Sequence, residues 1–123
     1  MLSGTRLLII EDVFLIALGI QFALEDTNAE RAVFARNFAE AAALADRFGE
    51  FDLAIVNPPR QGTDDIAVAE QLAAAGPAIV VCTAATLDLG RTPLADAELI
   101  TKPYTDEDLL AACRRALAKK SAA

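Results

Sequence analysis

Four apolar runs in this 123-residue sequence end on side chains that can do chemistry. Glu11 and Asp12 follow "RLLII", Asn57 follows "DLAIV", Thr83 follows "AIVVC" and Lys102 follows "ELIT". The set comprises two carboxylates, an amide, a hydroxyl and an ammonium group. Adjacent acids suit a hard cation such as Mg²⁺, which prefers oxygen ligands. Each residue alone has a plainer interpretation as the N-cap of a following helix, but four such ends together favour a site.

The spacing of apolar residues predicts the elements that must position these side chains. Short apolar or β-branched runs predict five strands, with the sequences RLLII, RAVFA, DLAIV, AIVVC and ELIT. Longer amphipathic stretches predict helices over residues 13–24, 37–48, 65–75 and about 105–119. Gly49 and Gly76 are placed to end the second and third helices, and Thr105 is placed to cap the last. Gly90 and Pro93 leave room only for a short or irregular fourth helix within residues 84–96.

Strands that alternate with helices predict an α/β fold. We expect one domain over residues 1–123, with a doubly wound, five-stranded parallel sheet and helices on both faces. Open parallel sheets collect functional groups at the carboxyl ends of their strands. The polar residues that follow strands one, three, four and five should therefore converge on one cluster.

Composition excludes several classes of function. The net charge of −7 argues against nucleic-acid binding, and the chain has no histidine for catalysis or zinc binding. We find no membrane-spanning segment, secretory signal, glycine-rich phosphate loop or nucleophile–base pair, which predicts a cytoplasmic protein that is not an enzyme. Cys82 and Cys113 lie in apolar patterns and are expected in the core. The basic residues near the C-terminus are expected at the end of the last helix.

Taken together, the motifs "LLIIED", "DLAIVN", "VVCTA" and "ITKPY" resemble the receiver domain of two-component response regulators. The resemblance covers essentially the whole chain and implies a (βα)5 flavodoxin-like fold. It also implies phosphoryl transfer from a sensor histidine kinase to an aspartate that ends strand three. In that scheme Glu11 and Asp12 would hold Mg²⁺, while Thr83, Ala84 and Lys102 would line the phosphoryl pocket. The peptide bond before Pro103 is often cis in such domains.

The sequence departs from this family pattern where phosphorylation would occur. Asn57 stands at the acceptor position, and an amide is a far poorer nucleophile than a carboxylate. Pro59 stands where the family uses a backbone N–H to hold the phosphoryl group, and proline has none. Leu99 replaces the aromatic switch residue.

These departures predict a stand-alone pseudo-receiver that is not phosphorylated at the usual site and acts by protein–protein contact. Its partner would be a sensor histidine kinase or another signalling protein, and its last helix could support a homodimer. The expected partner surface lies on the fourth-helix region, strand five and the last helix, and includes Leu99, Tyr104 and Leu109. Lys102 could pair with Asp12 in place of a phosphoryl group and fix one conformation.

Three alternatives remain open from the sequence. A receiver that accepts phosphate elsewhere would use Asp64, Asp65, Glu11 or Asp12. An engineered replacement of aspartate would explain Asn57, but not the rebuilt sequence "NPPRQG". A small-molecule or metal-binding module on a flavodoxin-like scaffold is the third alternative.

Overall fold

The computed structural model describes residues 4–25, 31–84 and 92–122, and its strands occur where the sequence predicts them. The elements are β1 (Arg6–Ile10), α1 (Phe14–Glu25), β2 (Arg31–Ala35), α2 (Phe38–Ala41), β3 (Leu53–Val56), α3 (Asp65–Ala75), β4 (Ala78–Thr83), β5 (Glu98–Thr101) and α4 (Asp106–Ala122). The predicted fourth helix falls largely on residues 85–91, which lie outside the described residues. Residues 92–97 form turns and bends.

The strands form one parallel sheet in the order β2-β1-β3-β4-β5. Successive residues of each strand point to opposite faces. In β1, Leu7 and Ile9 join the core that α1 and α4 cover, whereas Leu8 and Ile10 join the core on the side of α2 and α3. The doubly wound α/β fold is thus confirmed, and the carboxyl ends of β1, β3, β4 and β5 are neighbours.

The second helical segment differs from its prediction. Asn37 caps its start as expected, because its side chain accepts a hydrogen bond from the Glu40 N–H at 2.8 Å. The α-helix ends at Ala41, however, and continues as a 3₁₀ helix over Ala42–Glu50, so Gly49 does not end it. Phe38 and Phe48 are both buried. Tighter 3₁₀ winding reduces the angle between them from about 80° to about 40° around the helix axis, which places both rings against the sheet.

The end of α3 and the start of α4 lie where the sequence predicts them. Gly76 ends α3 in the left-handed conformation, with a φ of 98°, which glycine adopts without steric cost. Thr105 and Asp108 form a reciprocal capping box at the start of α4. The Asp108 N–H donates to Thr105 Oγ1 at 3.0 Å, and the Thr105 N–H donates to Asp108 Oδ2 at 3.1 Å.

Cys82 of β4 and Cys113 of α4 are both buried in the core on the α4 side of the sheet, as predicted. Burial raises the pKa of Cys82 to about 11 and the pKa of Cys113 to about 12. Both thiols therefore stay protonated at neutral pH and act as apolar packing groups. Among the helices that the structure describes, none combines the length and apolar character needed to cross a membrane.

A charged cluster joins the edge strand β5 to α4. Glu98 Oε1 accepts a hydrogen bond from Arg115 Nε at 2.8 Å, and its other oxygen pairs with Lys119 Nζ. Hydrogen bonds from Arg115 and then Lys119 lower the pKa of Glu98 below its ordinary value of 4.5, and partial burial does not offset them. The cluster therefore stabilises the fold above that value, and its contribution is lost as the pH falls through the lowered pKa.

We expect Glu98→Gln to lower the free energy of unfolding by about 1 kcal/mol at neutral pH and by less at about pH 3. The reason is that the native carboxylate loses its charge, and so its ion pairs, in acid. Urea unfolding at both pH values measures the difference. Glu70→Gln, on the exposed surface of α3, serves as control. An equal loss at both pH values would show that the charge of Glu98 is not what stabilises this contact.

Candidate functional site

Glu11 occupies the centre of the predicted cluster. It directly follows β1, and its backbone N–H continues the sheet by donating to the Ala35 carbonyl at 3.0 Å. Its side chain is 1% exposed, so its carboxylate needs partners within the protein. Lys102 Nζ contacts Oε1 at 2.9 Å, while the Val13 N–H and Asn57 Nδ2 donate to Oε2 at 3.0 and 3.1 Å. Both oxygens of this buried carboxylate are thus satisfied.

Asn57 bridges both acids and the lysine. Its backbone N–H donates to the Ile10 carbonyl at 2.9 Å, which holds the residue beside the end of β1. Its Nδ2 donates to Glu11 Oε2 at 3.1 Å and to Asp12 Oδ1 at 2.9 Å, and its Oδ1 accepts from Lys102 Nζ at 3.3 Å. Only an amide offers two donors and an acceptor in one group, and this orientation satisfies all three neighbours.

Lys102 lies within reach of this network because β5 ends directly before it. The Lys102 N–H donates to the Thr83 carbonyl at 2.6 Å, and the peptide bond to Pro103 is cis, as the resemblance implies. The ammonium group pairs with Glu11 and Asn57, whereas Asp12 accepts from Asn57 instead. The expected Lys102–Asp12 pair is therefore corrected to Lys102–Glu11, because Glu11 is the buried acid and the solvent-exposed Asp12 has water as an alternative.

Asp12, the solvent-exposed acid of the cluster, stays ionised at neutral pH. The pKa of Asp12 lies below its ordinary value of 3.8, and the hydrogen bond from the Asn57 amide and the Lys102 charge contribute to this shift. Its slight burial does not offset these effects. The cluster therefore contains a carboxylate that faces solvent beside a buried ion pair.

These residues, as arranged, do not fit Mg²⁺. The Asn57 amide nitrogen lies between the two carboxylates and donates a hydrogen bond to each of them. The Lys102 ammonium holds the other Glu11 oxygen. Within the described ranges, moreover, no three acid, cysteine or histidine side chains gather in a way that could hold a metal ion. The Mg²⁺ site predicted at Glu11 and Asp12 stays a prediction that this arrangement does not favour.

The loop after Asn57 folds around Asp65. Arg60 donates to Asp65 Oδ2 through its backbone N–H at 3.0 Å and its Nε at 3.1 Å, and Thr63 Oγ1 donates to the Arg60 carbonyl at 2.7 Å. Burial raises the pKa of Asp65, but these bonds outweigh it and leave the pKa below 3.8. Asp65, one of the alternative phosphate acceptors, is therefore already paired with Arg60. Pro59 is buried within this loop and provides no N–H.

The remaining predicted site residues occupy different environments. Thr83 is buried at the end of β4, and Ala84 follows it on the exposed edge. Leu99 and Tyr104 are partly buried, so each keeps some surface for a partner. Leu109, by contrast, is only 1% exposed and packs in the core beneath α4. Its assignment to the partner surface is wrong, because it lies on the apolar face with which α4 contacts the sheet.

Sequence reasoning missed two features of the site. The first is the Arg60–Asp65 clamp, for which the Thr-Asp-Asp sequence after Gly62 was the available signal, since such residues commonly form local hydrogen bonds. The second concerns Tyr104, whose hydroxyl group hydrogen-bonds to the Cys82 thiol. Burial, followed by that thiol, raises the pKa of Tyr104. Tyr104 therefore packs against the core through part of its side chain.

Comparison with solved structures identifies the fold. A response regulator receiver protein from Sinorhizobium medicae WSM419 superimposes with a TM-score of 0.79 at 20% identity, covering 98% of this chain and 99% of that one. A CheY-like receiver domain protein from Methanospirillum hungatei JF-1 gives 0.77 at 22% identity, covering 97% and 98%. The receiver domain of the sensor histidine kinase PA1611 from Pseudomonas aeruginosa PAO1, with magnesium coordinated in its active-site cleft, gives 0.73 at 19%, covering 94% and 99%.

The chain therefore has the receiver fold of response regulators, over nearly its whole length. No protein-family model matches the sequence, and no curated protein matches it either. At 19–22% identity this similarity establishes the fold only, so the chemistry of the site depends on which residues this chain carries there.

Proposed function

We propose that this chain is a receiver-like signalling module of the cytoplasm that works without phosphorylation at the usual position and without Mg²⁺. The observation that carries the proposal is the position of the Asn57 amide. It donates to both Glu11 and Asp12, the two acids that would hold Mg²⁺ according to the receiver resemblance, and it accepts from Lys102. The site thereby contains its own hydrogen-bond donors in place of a metal.

The chemistry of the site supports this proposal. The lone pair of an amide nitrogen is delocalised, and its oxygen bears no full charge, so Asn57 is a poor nucleophile towards phosphorus. Lys102, which would otherwise meet an incoming phosphoryl group, already neutralises the buried Glu11 carboxylate. The catalytic advantage of a phosphoryl-transfer site comes from charges positioned for the transferred group. Here those charges pair with one another, and we propose no enzymatic activity.

The same network suggests how the module would act. The Lys102 ammonium ties the end of β5 to Glu11 and Asn57, and the Lys102 backbone ties it to β4. This fixes the adjoining surface, which includes the partly buried Leu99 and Tyr104, in one conformation. We propose that a signalling protein, such as a sensor histidine kinase, recognises this surface in its constant state.

The test is whether the native chain responds to phosphorylating conditions. We expect its ¹⁵N–¹H NMR spectrum and its intact mass to be unchanged after incubation with Mg²⁺ and an acyl phosphate. Chemical-shift changes at Glu11, Asp12 and Lys102 on adding Mg²⁺ alone would contradict the metal-free site. A stoichiometric gain of one phosphoryl group would refute the proposal, and peptide mapping would then decide whether Asp64, Asp65 or a pocket acid had accepted it.

A further inference from the structure

The outward face of α1 is largely apolar. Four large side chains at its start and along this face are strongly exposed: Val13 45%, Phe14 73%, Leu15 75% and Phe22 57%. The opposite face is buried against the sheet and consists of Ala17, Ile20, Ala23 and Leu24. From residue 14 to residue 24 the helix contains no charged side chain. Apart from Gln21, α1 is apolar on every side up to Glu25, and such a helix is ordinarily covered all round, whereas α1 is covered on one face.

Two of the exposed residues, Leu15 and Phe22, lie on one stripe of α1, and Phe14 flanks that stripe. Leu15 and Phe22 lie seven residues apart, which is two helical turns, with Leu18 between them on the same line. Phe34 of β2, which is 42% exposed, is in register with Ile9 and therefore lies on the side of the sheet that α1 covers. Single exposed apolar residues are common on soluble proteins, but aligned ones mark an interaction surface.

We infer that α1 packs against α1 of a second copy of this chain in a two-fold symmetric dimer. Such an interface needs projections and a depression on the same patch, because each copy presents the same surface to the other. Leu15 and Phe22 project one turn to either side of Gly19. Gly19 borders a groove of about 440 Å³ between α1 and the start of α4, which Ile20 and Tyr104 also line and which has Lys102 and Asp106 at its edge. A Cβ at Gly19 would meet no atom within 4 Å, so the backbone there is open to a partner side chain.

The apolar area is of the size that a small dimer needs. Phenylalanine side chains bury about 150–250 Å² each, so Phe14 and Phe22 at their observed exposure contribute about 200–300 Å² together. With Leu15, Val13 and Phe34 the patch reaches about 400–500 Å² per copy. Two such patches bury about 800–1,000 Å², which suits a weak, reversible dimer at the small end of specific interfaces.

Charge also favours a second copy at this face. Each chain carries a net charge of −7, which opposes self-association over most of its surface. The uncharged stripe of α1 is a place where two identical chains meet with little like-charge contact. Added salt screens the remaining repulsion and strengthens apolar burial, so the dimer should become tighter as salt rises. An interface through the basic end of α4 that relied on opposite charges would weaken instead.

Sedimentation velocity of the full chain, over a range of concentrations and at low and high salt, tests the inference. We expect a monomer–dimer equilibrium that shifts towards dimer with salt. Leu15→Glu and Phe22→Glu should each weaken dimerisation by about 100-fold or more, since each buries a charge in the interface. Both positions are exposed, so circular dichroism should show an unchanged fold.

Two matched variants add the same charge elsewhere. Ala39→Glu on α2 and Ala118→Glu on α4 are both at exposed positions, and neither should affect dimerisation. A native chain that stays monomeric at every concentration and salt would overturn the inference and leave the stripe to a different protein. Loss of the dimer in Ala118→Glu but not in Leu15→Glu would overturn it in favour of the last helix. Equal loss in all four variants would show that net charge alone controls association.

Discussion

The double variant Asn57→Asp/Pro59→Ala should take up one phosphoryl group from an acyl phosphate in a Mg²⁺-dependent reaction, whereas the native chain takes up none. The introduced carboxylate supplies an oxygen nucleophile that can attack phosphorus and release the carboxylate of the donor. It also removes the amide N–H groups that now bridge Glu11 and Asp12. Three carboxylates around one lysine provide oxygen ligands for a divalent cation, and the alanine restores a backbone N–H.

Intact-mass measurement after timed incubation gives the extent of phosphorylation, and Mg²⁺-dependent thermal stabilisation gives the metal affinity. Asn57→Asp alone should gain the metal response but phosphorylate more slowly than the double variant, because it lacks the N–H. Asn57→Ala/Pro59→Ala is the matched control without a nucleophile and should stay unmodified. If Asn57→Asp alone reacts as fast as the double variant, the prolines do not limit the site. If neither variant binds Mg²⁺, the amide is not what excludes the metal.

The second large effect is expected from Lys102→Met, which should lower the free energy of unfolding by about 3 kcal/mol. The substitution removes the ammonium group from Glu11, whose side chain is 1% exposed, and leaves a buried carboxylate without its counter-charge. Methionine has a similar length, so little packing is lost. The Val13 N–H and Asn57 Nδ2 still donate to the carboxylate, which keeps the loss below the full cost of an isolated charge.

Urea unfolding of the single variants and of Glu11→Gln/Lys102→Met measures this coupling. The double variant should be more stable than Lys102→Met, because a neutral glutamine needs no counter-charge. Lys120→Met is the control, since its ammonium lies 4.0 Å from Asp52 on the surface and such pairs contribute less than about 1 kcal/mol. Similar losses for Lys102→Met and Lys120→Met would show that the ion pair does not hold the end of β5.

Several features of the fold and of the site could be predicted from local sequence patterns. The runs RLLII and AIVVC predicted strands because continuous apolar segments are typical of strands that are covered on both faces. Thr105 and Asp108 predicted the start of α4 because a capping box involves residues only three apart. The convergence of Glu11, Asn57 and Lys102 followed from parallel topology, which brings the carboxyl ends of adjacent strands together.

Other features depended on contacts that no local pattern contains. An alanine-rich stretch suits both α and 3₁₀ winding, so the burial of Phe38 and Phe48 against the sheet decided the form of the second helical segment. The exposed stripe of α1 could not be predicted either, because the helix is apolar on most sides and its sequence does not reveal which residues face the sheet. Leu109 belonged to the apolar face of α4, and packing placed it in the core.

The sequence by itself determined the order of the elements and the chemical groups at the carboxyl edge of the sheet, including the amide at position 57 and the prolines after it. The tertiary structure alone decided how those groups pair. Glu11 and Asp12 are neighbours with the same charge, and only the packing around them makes one buried and the other exposed. The buried acid must be paired, so Lys102 turns to Glu11, and Asn57 spans the two carboxylates.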